Sequence, residues 1–314
     1  MISITAPARL HLGFLDLHGG LGRRFGSLGL TLEAPVTVVR ARRASAAEVD
    51  GPVEAERSRA ILERLTAAWA LPPLAATIES AIPAHAGLGS GTQLALALGT
   101  AAARLVGRAA TPLEIAAVAQ RGVRSGIGIG AFAQGGFLID GGRGAGDEAP
   151  PLIARATFPE DWPVLLILDP AREGLHGARE ERAFRELAPC PAELAGHLCR
   201  VAMMQLLPSL AVADHAGFAA AIGEIQRRVG DYFAPAQGAR FASAEVSAAL
   251  DWLQAEGVAG HGQSSWGPTG FAILPSAREA GTLRAKLARR FAGSGLRFEL
   301  TRASNRGAEI TPKA

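Results

Sequence analysis

Between residues 83 and 93 the chain reads Pro83-Ala84-His85-Ala86-Gly87-Leu88-Gly89-Ser90-Gly91-Thr92-Gln93, a glycine-rich turn between an apolar strand pattern over Ala75–Ile82 and an Ala/Leu helix pattern from Thr92 to Val106. Glycine lets main-chain N–H groups come close to an anion, and the positive end of the following helix dipole faces the same place. Phosphate or pyrophosphate is the expected guest, bound by Gly87, Leu88, Gly89, Ser90, Gly91 and Thr92. No lysine follows Gly91, so this is not a Walker A loop, and the glycine spacing is not that of a dinucleotide fingerprint. Taken alone, such a turn serves tight packing as well as it serves a ligand.

Upstream, Ala6-Pro7-Ala8-Arg9-Leu10-His11-Leu12-Gly13-Phe14-Leu15-Asp16-Leu17-His18-Gly19-Gly20 carries His, Asp and Arg at high density among glycines. Period-two spacing at Ile2, Ile4, Leu10, Leu12 and Phe14 predicts strand. His11 and Arg9 then face away from the buried set, and Asp16 and His18 lie on the loop beyond. His11 reads as a functional group or a capped strand histidine, Asp16 as a functional carboxylate or a turn-former. A loop that also holds Arg23 has both signs of charge, which does not help packing, so function is favoured for the pair. Downstream, His261 to Phe271 ends at a strand through Ser264-Ser265-Trp266-Gly267-Pro268-Thr269-Gly270, a turn suited to close approach by another glycine loop.

The remaining pattern predicts a strand within Pro35–Arg42, a helix over Glu54–Trp69 stopped by Pro72-Pro73, and a helix opened by a Thr111–Glu114 capping box with Pro112 first and Gly122 at its end. A second glycine-rich stretch, Ser125–Gly136, leads to strand Phe137–Asp140 and a loop at Gly141–Pro150, the expected domain boundary. Beyond it come a strand at Val164–Leu168, helices over Ala178–Leu187, Pro191–Leu207, Ala213–Val229 and Ser243–Gly257, and one capped by Ser276 and Glu279 that runs to Phe291. Strands Phe271–Leu274 and Leu296–Arg302 flank that last helix, so the class is mixed α and β.

Composition narrows the function. With 314 residues, 48% hydrophobic and 19% charged, the chain has room for about two domains and is no disordered chain. Its two cysteines, Cys190 and Cys199, make neither a disulfide framework nor a zinc site, which suits a reducing cytosol. Arg104 interrupts the most apolar run, Leu94–Val106, so no membrane span is expected; the start lacks a basic signal-peptide region, and the expected location is cytoplasmic. A net charge of +3 is too weak to argue for nucleic acid. All but two of the 32 basic residues are arginine, a bias that reads as base composition. The cluster Arg9, Arg23, Arg24, Arg40, Arg42 and Arg43 near the start points instead to a small anionic ligand.

In order and spacing, Ala6–Leu12, Pro83–Thr92 and Ser264–Phe271 resemble the three motifs of the GHMP superfamily. The resemblance spans nearly the whole chain and implies an α+β, GHMP-kinase-like two-lobed fold. Its N-terminal lobe, residues 1–150, would be ribosomal-protein-S5-domain-2-like, and its C-terminal lobe, residues 151–314, ferredoxin-like. Two departures set it apart from the kinases: Arg9 stands where they usually have Lys, and Ser125-Gly126-Ile127-Gly128 puts Gly128 where many have an Asp base. Within the superfamily, the run Arg9-Leu10-His11-Leu12-Gly13-Phe14-Leu15-Asp16, then Arg23–Gly29 and Arg121–Gly128, resembles the β-ribofuranosylaminobenzene 5′-phosphate synthase family.

That resemblance implies a transferase joining phosphoribosyl pyrophosphate to 4-aminobenzoate, or 4-hydroxybenzoate in some members. Carbon dioxide and pyrophosphate are released and a β-C-riboside phosphate of methanopterin biosynthesis is formed. It casts Asp16, Arg23 and His11 as catalytic, with Mg²⁺ shared by Asp16 and the pyrophosphate. Arg9, Arg24, Ser27, Arg124, Ser125, Ser264 and Ser265 become substrate-binding, with Arg124, Arg24 or His11 orienting the aromatic carboxylate. A homodimer is plausible for the family. Two readings compete: a small-molecule kinase with a relocated base, marked by ATP turnover, and a non-catalytic anion-binding protein that binds the sugar diphosphate without consuming it. A type I phosphoribosyltransferase fits less well, because Leu165–Pro170 lacks the acidic pair such enzymes use.

Overall fold

The computed structural model describes residues 1–51, 53–146 and 148–312, so Asp147 of the expected boundary loop lies outside the described residues. In chain order the strands are β1 (Ile2–Asp16), β2 (Phe25–Arg43), β3 (Glu48–Asp50), β4 (Leu74–Ser80), β5 (Phe137–Asp140), β6 (Leu152–Ala156), β7 (Val164–Leu168), β8 (His261–Gln263), β9 (Gly270–Ile273), β10 (Arg297–Thr301) and β11 (Glu309–Pro312). The helices are α1 (Ala55–Trp69), α2 (Ser90–Val106), α3 (Pro112–Val118), α4 (Ile127–Ala133), α5 (Gly177–Glu186), α6 (Ala192–Val201), α7 (Leu207–Ala211), α8 (His215–Gln237), α9 (Ala244–Ala255) and α10 (Ala277–Arg290).

The long strands β1 and β2 pair antiparallel along most of their length and form the spine of a seven-stranded sheet ordered β11-β1-β2-β4-β3, with β5 on β2 and β6 on β5. One end of this sheet, with Ile4, Ala6, Val39 and Ile78, is covered by α1 and α2. Helix α2 is buried from Ser90 to Ala103, apart from the partly exposed Thr92, because its small and apolar side chains meet neighbours nearly all round. The other end, with Leu10, Leu12, Leu28 and Leu30, packs on Phe218, Ile222 and Ile225 of α8. That buried stripe recurs at helical spacing, and Asp214 caps α8 through the Gly217 amide.

The second sheet is antiparallel in the order β10-β7-β9-β8. Numbered from β7 that is 4-1-3-2, and with helices after the first and third strands it is the ferredoxin-like arrangement. Leu165 and Ile167 of β7 face α9 and α10 in a separate core. Among the described residues no helix is long and apolar enough to cross a membrane.

Several expectations are corrected. The division at residue 150 is displaced, because β6 pairs antiparallel with β5 and belongs to the first sheet, and β11 returns to that sheet beside β1. The loop at 141–150 is therefore a connection inside the first lobe. Ser125–Gly136 holds α4, whose glycines and alanines let it sit tightly against α2 and β1. Helix α3 ends at Val118, before Gly122. Residues Ala202–Leu206, ahead of Pro208, form a π-helical turn between α6 and α7. Helix α8 continues past Val229 to Gln237.

Candidate functional site

The three motif segments, far apart in the chain, meet in space. The Arg9 main-chain N–H donates to the Leu88 carbonyl at 3.1 Å, and its Nη1 donates to the Gly87 carbonyl at 2.5 Å. Ser264 Oγ donates to the same Gly87 carbonyl at 2.7 Å and accepts the His11 N–H at 3.0 Å, while the Ser265 N–H donates to the His11 carbonyl. Gly87 has φ +80° and a side chain there would run into the Ser264 carbonyl; Gly89 has φ +86° and its Cβ direction points at the Arg9 guanidinium. Only glycine allows this closeness. Helix α2 starts at Ser90 with no side-chain cap on Gly89, which leaves its first turn a natural seat for an anion.

A cavity of about 160 Å³ lies over that turn, lined by Ser90, Gly91 and Thr92 together with Arg57, Arg121 and His85. Arg57 comes from α1 and pairs with Glu54 at 3.5 Å. Arg121 follows α3, and burial, then the charges of Arg57 and Arg64, lower its pKa. Burial lowers Arg9 to about 10, partly offset by the charge of Glu180. Three arginines thus surround one helix start, an electrostatic arrangement that an anion would relieve. His85 stacks on His176 with ring centroids 3.6 Å apart, and burial, then His176 and Arg57, hold its pKa down.

Beside the turn, and joined to it through Ser265-Trp266-Gly267, is a cluster of aromatic rings. Phe14 and Phe25 of the first sheet, Phe184 of α5, Phe233 of α8 and Trp266 pack with centroids 4.3 to 6.0 Å apart. His11 lies 4.6 Å from Phe14 and is only 3% exposed. Among the described residues neither of its ring nitrogens has a hydrogen-bond partner, and neither does Trp266 Nε1. Burial, then Arg9, lowers the His11 pKa to about 3, so the ring is neutral. At the edge, Arg124 sits over the Phe184 ring at 5.2 Å and pairs with Glu180 at 2.6 Å and Glu181 at 3.7 Å.

Other expected site residues lie elsewhere. Asp16 ends β1, opposite Phe25 and so on the same sheet face, at the rim of the aromatic cluster. Its carboxylate accepts the Gly19 N–H at 2.8 Å, a turn-forming bond. It is seven residues beyond Arg9 on one strand, about 20 Å at ~3.3 Å per residue, and does not meet the glycine turn. Arg23 donates to the Gly141 and Gly142 carbonyls at 2.7 and 2.6 Å, beside a separate cavity of about 680 Å³. Arg24 donates to the Leu17 carbonyl and covers the Phe25 ring.

Ser27 and Ser125 are not open binding groups. Ser125 Oγ donates to Asp140, and the Ser27, Gly126 and Gly142 amides donate to the same carboxylate. Asp140 is fully buried; burial raises its pKa and these four donors oppose the rise. It was not foreseen, although an acidic residue ending an apolar strand among glycines is a visible signal. Arg57 and Arg121 were also missed, because each resembles any surface arginine until α1 and α3 are placed.

A metal shared between Asp16 and a diphosphate on the glycine turn does not fit: the carboxylate is too far away and already accepts a main-chain amide. The described residues bring no three His, Cys, Asp or Glu side chains together. At Gly128 the carbonyl accepts Gln93 Nε2 at 2.8 Å, and a side chain there would meet Thr92 at 3.0 Å. The position next to the turn is thus occupied by main chain rather than by a carboxylate.

Comparison with known proteins adds to this geometry. The GHMP kinases N terminal domain family matches residues 56–136, and the GHMP kinases C terminal family matches residues 206–293. A β-ribofuranosylphenol 5′-phosphate synthase of Archaeoglobus fulgidus is 33% identical over 325 residues, covering 99% of each chain. The protein of that name from Methanothermobacter thermautotrophicus is 30% identical, covering 86% of this chain and 88% of the relative. Among solved structures, a putative sugar kinase from Campylobacter jejuni superposes with a TM-score of 0.68 at 15% identity, over 99% of this chain and 98% of the other. The mevalonate-3-kinase of Thermoplasma acidophilum does so with 0.66 at 13%, at the same coverage. These two likenesses concern the fold alone.

Proposed function

Because the chain belongs to the β-ribofuranosylphenol 5′-phosphate synthase family within the GHMP superfamily, we propose that it joins phosphoribosyl pyrophosphate to a 4-substituted benzoate with loss of carbon dioxide and pyrophosphate. The product is a β-C-riboside 5′-phosphate of the methanopterin route. The relatives are named for a ribosylphenol, which favours 4-hydroxybenzoate over 4-aminobenzoate as acceptor. The observation that carries this reading is one of adjacency: a turn ringed by Arg9, Arg57 and Arg121 shares Trp266 with an aromatic cluster. A diphosphate and an aryl ring can be held side by side there.

In this reading the diphosphate lies on the Ser90–Thr92 helix start and the three arginines take up the charge that develops as the bond from the anomeric carbon to pyrophosphate oxygen breaks. The ring carbon that bears the carboxylate forms the new bond to the anomeric carbon. Its bond to the carboxylate then breaks, and the electron pair returns to the ring. No proton has to be removed from carbon, which agrees with the main chain found at Gly128 in place of a kinase base. Asp16, about 20 Å along β1 from the turn at ~3.3 Å per residue, is too distant to act on an anomeric carbon bonded to a diphosphate held there. Reduced thiols at Cys190 and Cys199 fit a cytoplasmic location, and a homodimer follows the resemblance; sizing by light scattering checks the latter.

The test is release of labelled carbon dioxide from carboxyl-labelled 4-hydroxybenzoate when phosphoribosyl pyrophosphate is added. Stoichiometric ADP formation from ATP with a phosphorylated small alcohol, and no such release, would replace this reading by a kinase.

A further inference from the structure

The same helix that covers the aromatic cluster carries a carboxylate and a phenyl ring one turn apart. Helix α5 turns one narrow face inward: Ala183 is buried, Glu180, Phe184 and Leu187 beyond its last turn are partly buried, and the intervening residues are exposed. Phe184 sits among Phe14, Phe25, Phe233 and Trp266. Glu180, four residues earlier and therefore beside it on the helix, reaches Arg124 and raises the pKa of Arg9 by its charge. Arg124 thus meets a carboxylate and a ring face presented by one element.

We propose that α5 is a built-in mimic of the aromatic acid. The Phe184 ring fills the slot that the substrate ring takes, Glu180 holds Arg124, which takes the substrate carboxylate, and α5 must withdraw for the acceptor to bind. The inference rests on the reading of the preceding subsection and names the acceptor subsite within it: Phe14, Phe25, Phe233 and Trp266 as walls, Arg124 as the carboxylate partner.

A second observation points to a ligand in this slot. His11 and Trp266 are at most 3% exposed, yet among the described residues both His11 ring nitrogens and Trp266 Nε1 lack partners. Buried polar groups in folded proteins are nearly always paired, so these fit a slot whose proper occupant is polar as well as aromatic. A phenyl ring cannot serve them; a benzoate with a polar para substituent can. The attachments of α5 suit a withdrawing element. It is held through one face, it follows Gly174 and starts at Gly177, which has φ +57°, and its C-terminal connection runs through Pro189 and Pro191. Upstream, the Gly174 N–H donates to the His85 carbonyl and His176 stacks on His85, which tethers the same segment over the diphosphate cavity.

The experiment titrates 4-hydroxybenzoate into the full chain by calorimetry, for the native protein, Phe184→Ala and Glu180→Gln, and follows hydrogen exchange of residues 178–187. If α5 competes with the ligand, both variants bind on the order of tenfold more tightly, because the competent state is more populated. The α5 amides of the native protein then exchange faster when ligand is bound. Weaker binding by both variants, slower α5 exchange on binding, or no binding by any of the three proteins overturns the proposal. Should Phe184→Ala fail to fold, Glu180→Gln and the exchange data decide. Carbon dioxide release is scored separately: turnover with weaker binding by the variants sinks the mimic and leaves the reaction standing, whereas tighter binding without turnover sinks the reaction and leaves the slot.

Discussion

Replacing Arg121 with Met separates a ligand-binding arginine from a structural one, because the two roles predict opposite changes in stability. The Arg121 side chain lines the cavity above the Ser90–Thr92 turn, and its Nε has no hydrogen-bond partner among the described residues. Burial and the like charges of Arg57 and Arg64 lower its pKa, so the empty fold disfavours this cation. Methionine keeps the apolar stem and removes the charge; stability should stay within about 0.5 kcal/mol of the parent, or rise. With substrate bound, Arg121 would make charge-assisted hydrogen bonds to a diphosphate, each about 1.5–3 kcal/mol, which corresponds to a roughly 10- to 100-fold higher KM for phosphoribosyl pyrophosphate. KM for the aromatic acid should not change. The assay is steady-state carbon dioxide release with each substrate varied in turn, alongside thermal melts. An Arg121→Met protein that loses stability while keeping its KM for phosphoribosyl pyrophosphate would refute the argument and make Arg121 a packing residue.

Asp16→Asn keeps an acceptor for the Gly19 amide, so melting should barely move, and with the carboxylate about 20 Å from the turn kcat should stay within about threefold of the parent; a fall of roughly 10²-fold would place Asp16 at the reacting ribose instead. Asp140→Asn puts an NH2 group where one carboxylate oxygen accepts two of the four donors, and should destabilise by about 2–3 kcal/mol in denaturant melts, with activity lost through folding. His11 has a folded pKa of about 3, below its unfolded value, so the unfolded chain binds the extra proton between about pH 6.5 and 3. The stability tied to neutral His11 is full above that window and lost as pH falls through it. His11→Phe should flatten the melting temperature against pH there; an unchanged slope would show that other groups set it.

Much of the fold was legible in local pattern. The Thr111–Glu114 box, the buried Ala/Leu helix after the glycine turn, β5 at Phe137–Asp140 and β7 at Val164–Leu168 all appear where periodicity and capping put them. The turn through Ser264–Gly270 was expected to suit close approach by another glycine loop, and Arg9, Gly87 and Ser264 are joined through hydrogen bonds that need glycine at the turn. These features depend on a few neighbouring residues, through backbone strain, side-chain periodicity and end-capping, and such information is local.

The site as a whole is not local. Arg57 and Arg121 become ligand-facing only when α1 and the end of α3 are packed beside α2. Ser27 stops being a candidate once it is seen to be fully buried and Ser125 once its hydroxyl is seen to donate to Asp140, and Asp16 is separated from the glycine turn by about half the length of β1. The pairing of β6 with β5 and the return of β11 to β1 move the lobe boundary, a matter of long-range hydrogen bonding that no window of sequence contains. The sequence by itself determined most of the longer elements, the glycine turn and the exclusion of a kinase base at Gly128. Only the tertiary structure decided which arginines surround the turn and that Phe184 and Glu180 occupy the slot beside it, because those depend on charges and rings brought together from distant parts of the chain.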